Sequence, residues 1–360
     1  MNCYDVAVVG AGPAGLEAAC TAAHYGARVC LIDRQHQIGG QLIKQTHKFF
    51  GSREQKAGTR GIHIAQKMAE EAACLPNIDI RLDTTALGFY PDRVLTLDQS
   101  GRYCKIKCTA LTVCTGAQEK MLMFTNNDLP GVYGAGAVQT LMNVDGVRPG
   151  RRVLMVGAGN IGLIVSYQLL QAGVSVAAVV EASPRIGGYA VHASKIRRLG
   201  IPILTSHSIK QAYGRERVTG ACVWRLDAHW RGISGTEEHI ECDTICLAAG
   251  LSPLTELLWQ AGCKMRYVPE LGGHVPLTDL SLETSVGGVF VAGDASGIEE
   301  ASAAMLTGRI AGLGVARYLG ICADYGERFD ECSMQIEELR RGPAAQKIIA
   351  GIRKLRGETT

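Results

Sequence analysis

Two short glycine runs carry the residues best able to do chemistry. Gly10-Ala11-Gly12-Pro13-Ala14-Gly15 follows the apolar run Tyr4–Val9, and Gly157-Ala158-Gly159-Asn160-Ile161-Gly162 follows Val153–Val156. A diphosphate needs backbone N–H groups and the positive end of a helix. In each run the first glycine (Gly10, Gly157) allows a tight turn. The second (Gly12, Gly159) lets the diphosphate reach the backbone, and the third (Gly15, Gly162) lets the helix pack on the strand. An acid ends the next apolar run of each copy: Asp33, with Arg34 beside it, and Glu181. Both acids are placed to accept hydrogen bonds from a ribose. One such fingerprint is weak evidence. Two, each after a strand, before a helix and followed by an acid, are strong.

The elements that must position these loops repeat as well. Leu16 to Tyr25 reads as a helix closed by Gly26, and Val29–Ile32 as the next strand. In the second copy a helix runs to Gly173 and a strand from Val174 to Val180. Cys108–Gly116 and Cys242–Gly250 close the two copies alike, and strand-rich sequence (78–107 and 203–241) lies between opening and closing. The fold class is therefore α/β, with two Rossmann-like nucleotide-binding domains that each carry a small inserted β-sheet.

A third motif, Thr284–Asp294, runs as a strand into Gly293-Asp294 ahead of a helix from about Glu300 to Tyr318. Asp294 can face a ribityl hydroxyl, and the helix N-terminus can stabilise negative charge on a reduced flavin. That assigns FAD to the first unit. Expected boundaries are 1–116 and 247–325 for a discontinuous FAD-binding domain, 117–246 for an inserted NAD(P)-type domain, and 326–360 for a helical tail. Ala182 and Ser183 follow Glu181 with no adjacent base for a 2′-phosphate, which favours NADH over NADPH, although Arg185 lies four positions on. Bound ADP or ATP would satisfy the same contacts.

Composition bounds the rest. The 360 residues suggest about two domains. A net charge of +3 and 6% aromatic content give no electrostatic or stacking basis for nucleic-acid binding. Glycine, 44 of 360, is well above the usual ~7%, so the fold needs close backbone approaches. Thirteen cysteines, odd in number and mostly inside strand-like runs, read as reduced packing residues of a cytoplasmic protein. Met1-Asn2-Cys3-Tyr4-Asp5 lacks the basic start of a signal peptide. The uncharged run from Val153 to Val180 contains Gly157, Asn160, Gly162, Gln168, Gln171 and Gly173, and reads as a buried strand–helix–strand rather than a transmembrane segment. No His-x-His, His-Glu-x-x-His or Gly-x-Ser-x-Gly pattern occurs, so no metal site and no catalytic side chain is assigned. Hydride transfer at flavin N5 needs none, because the cofactor carries it.

On these motifs, in this order with Thr115-Gly116 between them, the chain resembles the flavoproteins with two dinucleotide-binding domains, among them thioredoxin reductases and NADH-dependent ferredoxin reductases. Gly39-Gly40-Gln41-Leu42 is similar to the segment that runs beside the flavin ring there. The resemblance implies FAD at Gly10, Gly12, Pro13, Ala14, Gly15, Asp33, Arg34, Gly40, Gln41, Thr115, Gly116, Gly293 and Asp294. It also implies the backbone near Ala86 against the adenine and Ala301 near the ring. Gly157, Gly159, Asn160, Ile161, Gly162 and Glu181 would hold NAD(P)H. A narrower likeness lies in Leu129–Leu141, which resembles the linker of FAD/NAD-type subunits of heteromeric amine and amino-acid dehydrogenases: the hydrogen cyanide synthase, opine, hydroxyproline and proline dehydrogenase, and sarcosine oxidase group. It implies a partner, an amine-oxidising flavoprotein subunit. Several relatives carry a cysteine-rich iron–sulfur module at the C-terminus. Here only Cys322 and Cys332 lie in that region, so such a cluster is expected on a small partner subunit.

Departures matter equally. No Cys-x-x-Cys occurs, and no cysteine lies between Cys30 and Cys74 or between Cys114 and Cys222, which argues against disulfide reduction. His47-Lys48-Phe49-Phe50-Gly51 could cap the ring, but a surface loop with a buried Phe pair is the better reading. In the tail, Ala345, Ile348, Ile349, Ile352 and Leu355 recur at helical spacing among Arg340, Arg341, Lys347, Arg353, Lys354 and Arg356. This is either a helix that docks on a partner subunit or one packed on its own domain, with an anionic membrane surface as the third reading. Two alternatives to a dehydrogenase subunit stay open: a stand-alone NADH-dependent reductase of ferredoxin or a small acceptor, and a non-catalytic assembly subunit holding structural ADP or ATP.

Overall fold

A computed structural model describes residues 1–49, 56–342 and 345–357. The chain divides into two compact units, one of residues 1–43, 48–118 and 251–360, the other of 44–47 and 119–250. The short segment Lys44–His47 thus groups with the second unit, although the chain on both sides of it belongs to the first.

In the first unit, Asn2–Val9 lies between Val29–Ile32 and Arg102–Val113, with Ile78–Arg81 outside the former and Val289–Val291 outside the latter, all parallel. Val29, Cys30, Leu31 and Ile32 are wholly buried, as strands covered on both faces require. The leading half of Arg102–Val113 turns to antiparallel pairing with Val94–Gln99, which pairs with Thr84–Phe89. This is the small inserted sheet. The second unit repeats the plan: Arg152–Val156 lies between Ser175–Glu181 and Thr244–Leu247, flanked by Ile203–Thr205 and Val132–Gly134, again all parallel. Its antiparallel sheet is His207–Gly214, Val218–Arg225 and Glu238–Ile240. Both are the dinucleotide-binding strand order, so the two-fold Rossmann-like α/β reading stands.

Helix α1 (Pro13–His24) leaves the first glycine loop, with α2 (Gly61–Ala73) after it. In the second unit α3 (Ala135–Asn143), α4 (Asn160–Gln171) and α5 (Ala190–Arg198) cover the sheet; α6 (Glu256–Gln260) returns the chain to the first. Helix α7 (Ala301–Tyr318) packs along α1 so closely that glycines are needed at the crossing. A Cβ on Gly308 would stand 2.2 Å from the Ala14 carbonyl oxygen, and one on Gly312 2.7 Å from that of Ala18. Gly308→Ala is expected to cost about 3 kcal/mol by overpacking, seen as a lowered Tm of the cofactor-free chain.

Two helices end the chain, α8 (Tyr325–Leu339) and α9 (Gln346–Arg356). Cys332 and Ile336 of α8 pack on Leu306, Ile310 and Leu313 of α7. Ile348, Ile352 and Leu355 of α9 pack on Val268, Leu271 and Val275 of the same unit. The apolar stripe of the tail is therefore covered by its own domain. No described helix is long and apolar enough to cross a membrane.

Candidate functional site

The two glycine loops have nearly superimposable logic. Gly10 has φ +107° and Gly157 φ +111°, in the region that disfavours side chains; a Cβ there would lie 2.2 Å from the Cys114 and 2.4 Å from the Ala248 carbonyl oxygen. The third glycine of each loop sits under the first: a Cβ on Gly15 would meet the Gly10 oxygen at 1.7 Å, and one on Gly162 the Gly157 oxygen at 2.0 Å. The middle glycine differs. Gly12 and Gly159 are the extended N-caps of α1 and α4. A Cβ on Gly12 would meet only the Gly40 Cα, at 3.8 Å, and one on Gly159 nothing within 4 Å. Packing therefore explains the outer glycines but not the middle ones. What Gly12 and Gly159 leave clear is an open cradle at a helix N-terminus, which fits a diphosphate.

Each acid is already bound to its own loop. Asp33 Oδ2 accepts the Ala11 N–H at 2.6 Å and Oδ1 the Gln35 N–H at 2.8 Å; Glu181 Oε2 accepts the Ala158 N–H at 2.7 Å and Oε1 the Ser183 N–H at 2.9 Å. A carboxylate oxygen has a second lone pair for a ribose hydroxyl. Arg34 is exposed beside Asp33, and Ile161 is exposed on the first turn of α4. The Thr84 N–H donates to the Asp33 carbonyl at 2.9 Å, so the strand carrying Ala86 starts beside the acid.

Other expected cofactor residues converge on the first loop. Gly40 (φ +53°) presses on Gly12: its Cβ would stand 2.7 Å from the Gly12 Cα, and the Gly39 N–H donates to the Ala11 carbonyl at 2.9 Å. Gln41 follows, exposed. Thr115 abuts Gly10, its Oγ1 donating to the Leu254 carbonyl at 2.6 Å, and Gly116 has φ +74°. Gly293 has φ +67°, and its Cβ would lie 2.8 Å from the Ala14 Cβ. Its N–H donates to Thr307 Oγ1 at 3.0 Å, and Ala301 opens α7 nearby. Asp294 is thereby held next to the start of α1, half-buried, and burial pushes its carboxyl up to about 6.

That shift has a direction. The folded value exceeds the ordinary 3.8, so this carboxyl favours the fold below about pH 4, and the advantage is lost as pH rises through about 6. Asp294→Asn is expected to gain Tm on the wild type as pH rises from 4 to 7 in the cofactor-free chain. A constant Tm difference across that range would show that Asp294 is not the titrating group.

Sequence reasoning missed the second unit's counterpart of Gly39-Gly40. Gly187 and Gly188 cross over Gly159; a Cβ on Gly188 would stand 2.9 Å from the Gly159 carbonyl carbon, and the Gly188 N–H donates to the Ala158 carbonyl at 2.9 Å. Asn160 Oδ1 fixes the same strap by accepting the Tyr189 N–H at 2.8 Å. The signal was present as Ile38-Gly39-Gly40 repeated in Ile186-Gly187-Gly188.

All thirteen cysteines are free, and burial pushes Cys20, Cys30, Cys108, Cys114 and Cys242 up to about 12. Such thiols stay protonated and unreactive. No group of metal-ligating side chains occurs among the described residues. His47 belongs to the second unit, 6.4 Å from His192, and burial followed by the charges of His192 and Lys195 pushes it down to about 4, so it is neutral at pH 7. Phe49 is buried; Phe50 and Gly51 lie outside the described residues.

Comparison with known proteins agrees with this geometry. Residues 4–308 match the family model described as pyridine nucleotide-disulphide oxidoreductase. An opine oxidase subunit of Agrobacterium tumefaciens (strain Ach5) is 29% identical over 86% of this chain and 65% of its own length. The hydrogen cyanide synthase subunit HcnB of Pseudomonas aeruginosa is 28% identical over 88% of this chain and 71% of its own. The chain thus spans about two thirds of these relatives. The structure of L-proline dehydrogenase from P. horikoshii shares the fold, with TM-score 0.70 and 24% identity over 92% of this chain and 59% of that one. The chain belongs to the pyridine nucleotide-disulphide oxidoreductase family and is an FAD-dependent oxidoreductase whose sequence holds no Cys-x-x-Cys pair.

Proposed function

We propose that this chain is the electron-handling subunit of a multi-subunit amine or amino-acid dehydrogenase, moving hydride between FAD in the first unit and NAD(H) in the second. The observation that carries the reading is the pair of open cradles at Gly12 and Gly159, each with an acid tied to its own loop. Bound FAD would supply two-electron redox chemistry at its ring. This chain's part is to bind and orient. The N-termini of α1 and α4 would take the diphosphates, Asp33 and Glu181 the riboses, and Asp294 a ribityl hydroxyl. Glu181 disfavours a 2′-phosphate by charge, which supports NADH over NADPH. The relatives named for subunits of opine oxidase and hydrogen cyanide synthase support a heteromeric assembly. An amine-oxidising flavoprotein subunit would meet the substrate there, and any iron–sulfur cluster would lie on a further small subunit.

The test is anaerobic addition of NADH to the purified, FAD-loaded protein. Bleaching of the visible flavin band supports the reading. FAD that stays oxidised, with ADP or ATP found by mass in the second site, replaces it with the structural-nucleotide alternative. Full activity of the lone chain with a soluble acceptor would favour the stand-alone reductase.

A further inference from the structure

The residues matched by the family model stop at 308, yet α8 and α9 both bear on the loop that joins Asp294 to α7. From the end of α8, Arg340 grips Glu299 with two parallel hydrogen bonds, Nε to Oε1 at 2.9 Å and Nη2 to Oε2 at 2.6 Å. The two side chains are only 19% and 14% exposed, so this pair is shielded from solvent far more than the surface pairs of the molecule. A bidentate guanidinium–carboxylate pair fixes geometry as well as charge. Glu299 in turn is tied to the flavin side of the loop, its N–H donating to Asp294 Oδ1 at 3.3 Å. Two residues on, α7 begins at Ala301.

The other helix acts through Leu271. The Ile298 N–H donates to the Leu271 carbonyl at 3.0 Å. Gly351 of α9 sits so close to Leu271 that a Cβ there would stand 2.8 Å from its Cγ. Loop 294–300 is therefore held at Ile298 by the element α9 covers, and at Glu299 by α8 directly.

We propose that Arg340 is a positioning residue of the flavin pocket, holding Glu299 so that Asp294 and the N-terminus of α7 keep their places against the cofactor, and neutralising a carboxylate that would otherwise face the flavin side uncompensated. This rests on the reading that FAD occupies the first unit beside Asp294. Arg340 touches no cofactor in this scheme; it acts through Glu299.

The experiment compares wild type, Arg340→Met, Arg340→Lys, Glu299→Gln and the double variant Glu299→Gln/Arg340→Met as FAD-loaded full-length chains. FAD dissociation and the flavin midpoint potential are measured, and circular dichroism checks the fold. Arg340→Met should release FAD roughly tenfold faster, within the range for directly coupled residues. Its flavin should also be harder to reduce, because the exposed Glu299 charge opposes added electrons. The double variant should return the midpoint potential most of the way to wild type, because the uncompensated charge is gone, which a general loss of packing would not do; its FAD release should stay fast, because the clamp is still missing. Arg340→Lys, keeping charge but not the fork, should fall between, and carries the test if Arg340→Met does not fold. Wild-type values in both single Arg340 variants would overturn the proposal, as would a double variant whose midpoint potential is no nearer wild type than that of Arg340→Met. A wild-type chain that takes up no FAD would instead remove the FAD reading itself.

Discussion

Gly12→Ala is expected to weaken FAD binding by 100-fold or more, about 3 kcal/mol, while the Tm of the cofactor-free chain stays within a degree or two. The backbone at Gly12 is extended and its missing Cβ has only the Gly40 Cα near it, at 3.8 Å, so alanine fits the empty protein. It fails only when a diphosphate must come within hydrogen-bonding range of the α1 N-terminus. Gly15→Ala should behave in the opposite way. Its Cβ would stand 1.7 Å from the Gly10 oxygen, and the chain should be destabilised or insoluble whether FAD is present or not. Cofactor titration followed by flavin fluorescence, beside thermal melts without cofactor, separates the two. Equal affinity in Gly12→Ala and wild type would mean that the first loop does not hold the diphosphate.

Glu181→Ala is expected to lower affinity for NADH by about 100-fold. Charge-assisted hydrogen bonds to ribose hydroxyls are each worth ~1.5–3 kcal/mol net, so losing one or two of them accounts for a drop of that size, about 2.7 kcal/mol. The Ala158 and Ser183 N–H groups also lose their acceptor. FAD content should be unaffected, because Ala158 and Ser183 both lie in the second unit. The same variant should lose discrimination against NADPH, since the carboxylate that repels a 2′-phosphate is gone. Titrating both coenzymes against wild type and variant measures each effect, and an unchanged NADH affinity would put the ribose elsewhere.

How much of this could be read beforehand depends on how local each signal is. The glycine loops and their acids were legible because strand, turn, helix and acid follow one another within 30 residues in each copy, Tyr4 to Asp33 and Val153 to Glu181. The duplicated plan then confirmed each copy by the other. Gly187-Gly188 had an equally local signal in the repeated Ile-Gly-Gly, but it lies in a loop and announces no element. Lys44–His47 grouping with the second unit was not legible, because membership is settled by partners such as Gly136 and Gln168, remote in sequence. The amphipathic tail showed that one face needed cover but not which surface supplied it; Val268, Leu271 and Val275 do. Arg340 looked like one cation among six in the tail. Its pairing with Glu299 across 41 positions exists only once α8 has folded back along α7.

The hooks from Ala11 to Asp33 and from Ala158 to Glu181 also bear on how a nucleotide is captured. Each carboxylate is fixed by a backbone hydrogen bond of its own loop, so a ribose that binds there would meet a side chain with little freedom left to surrender.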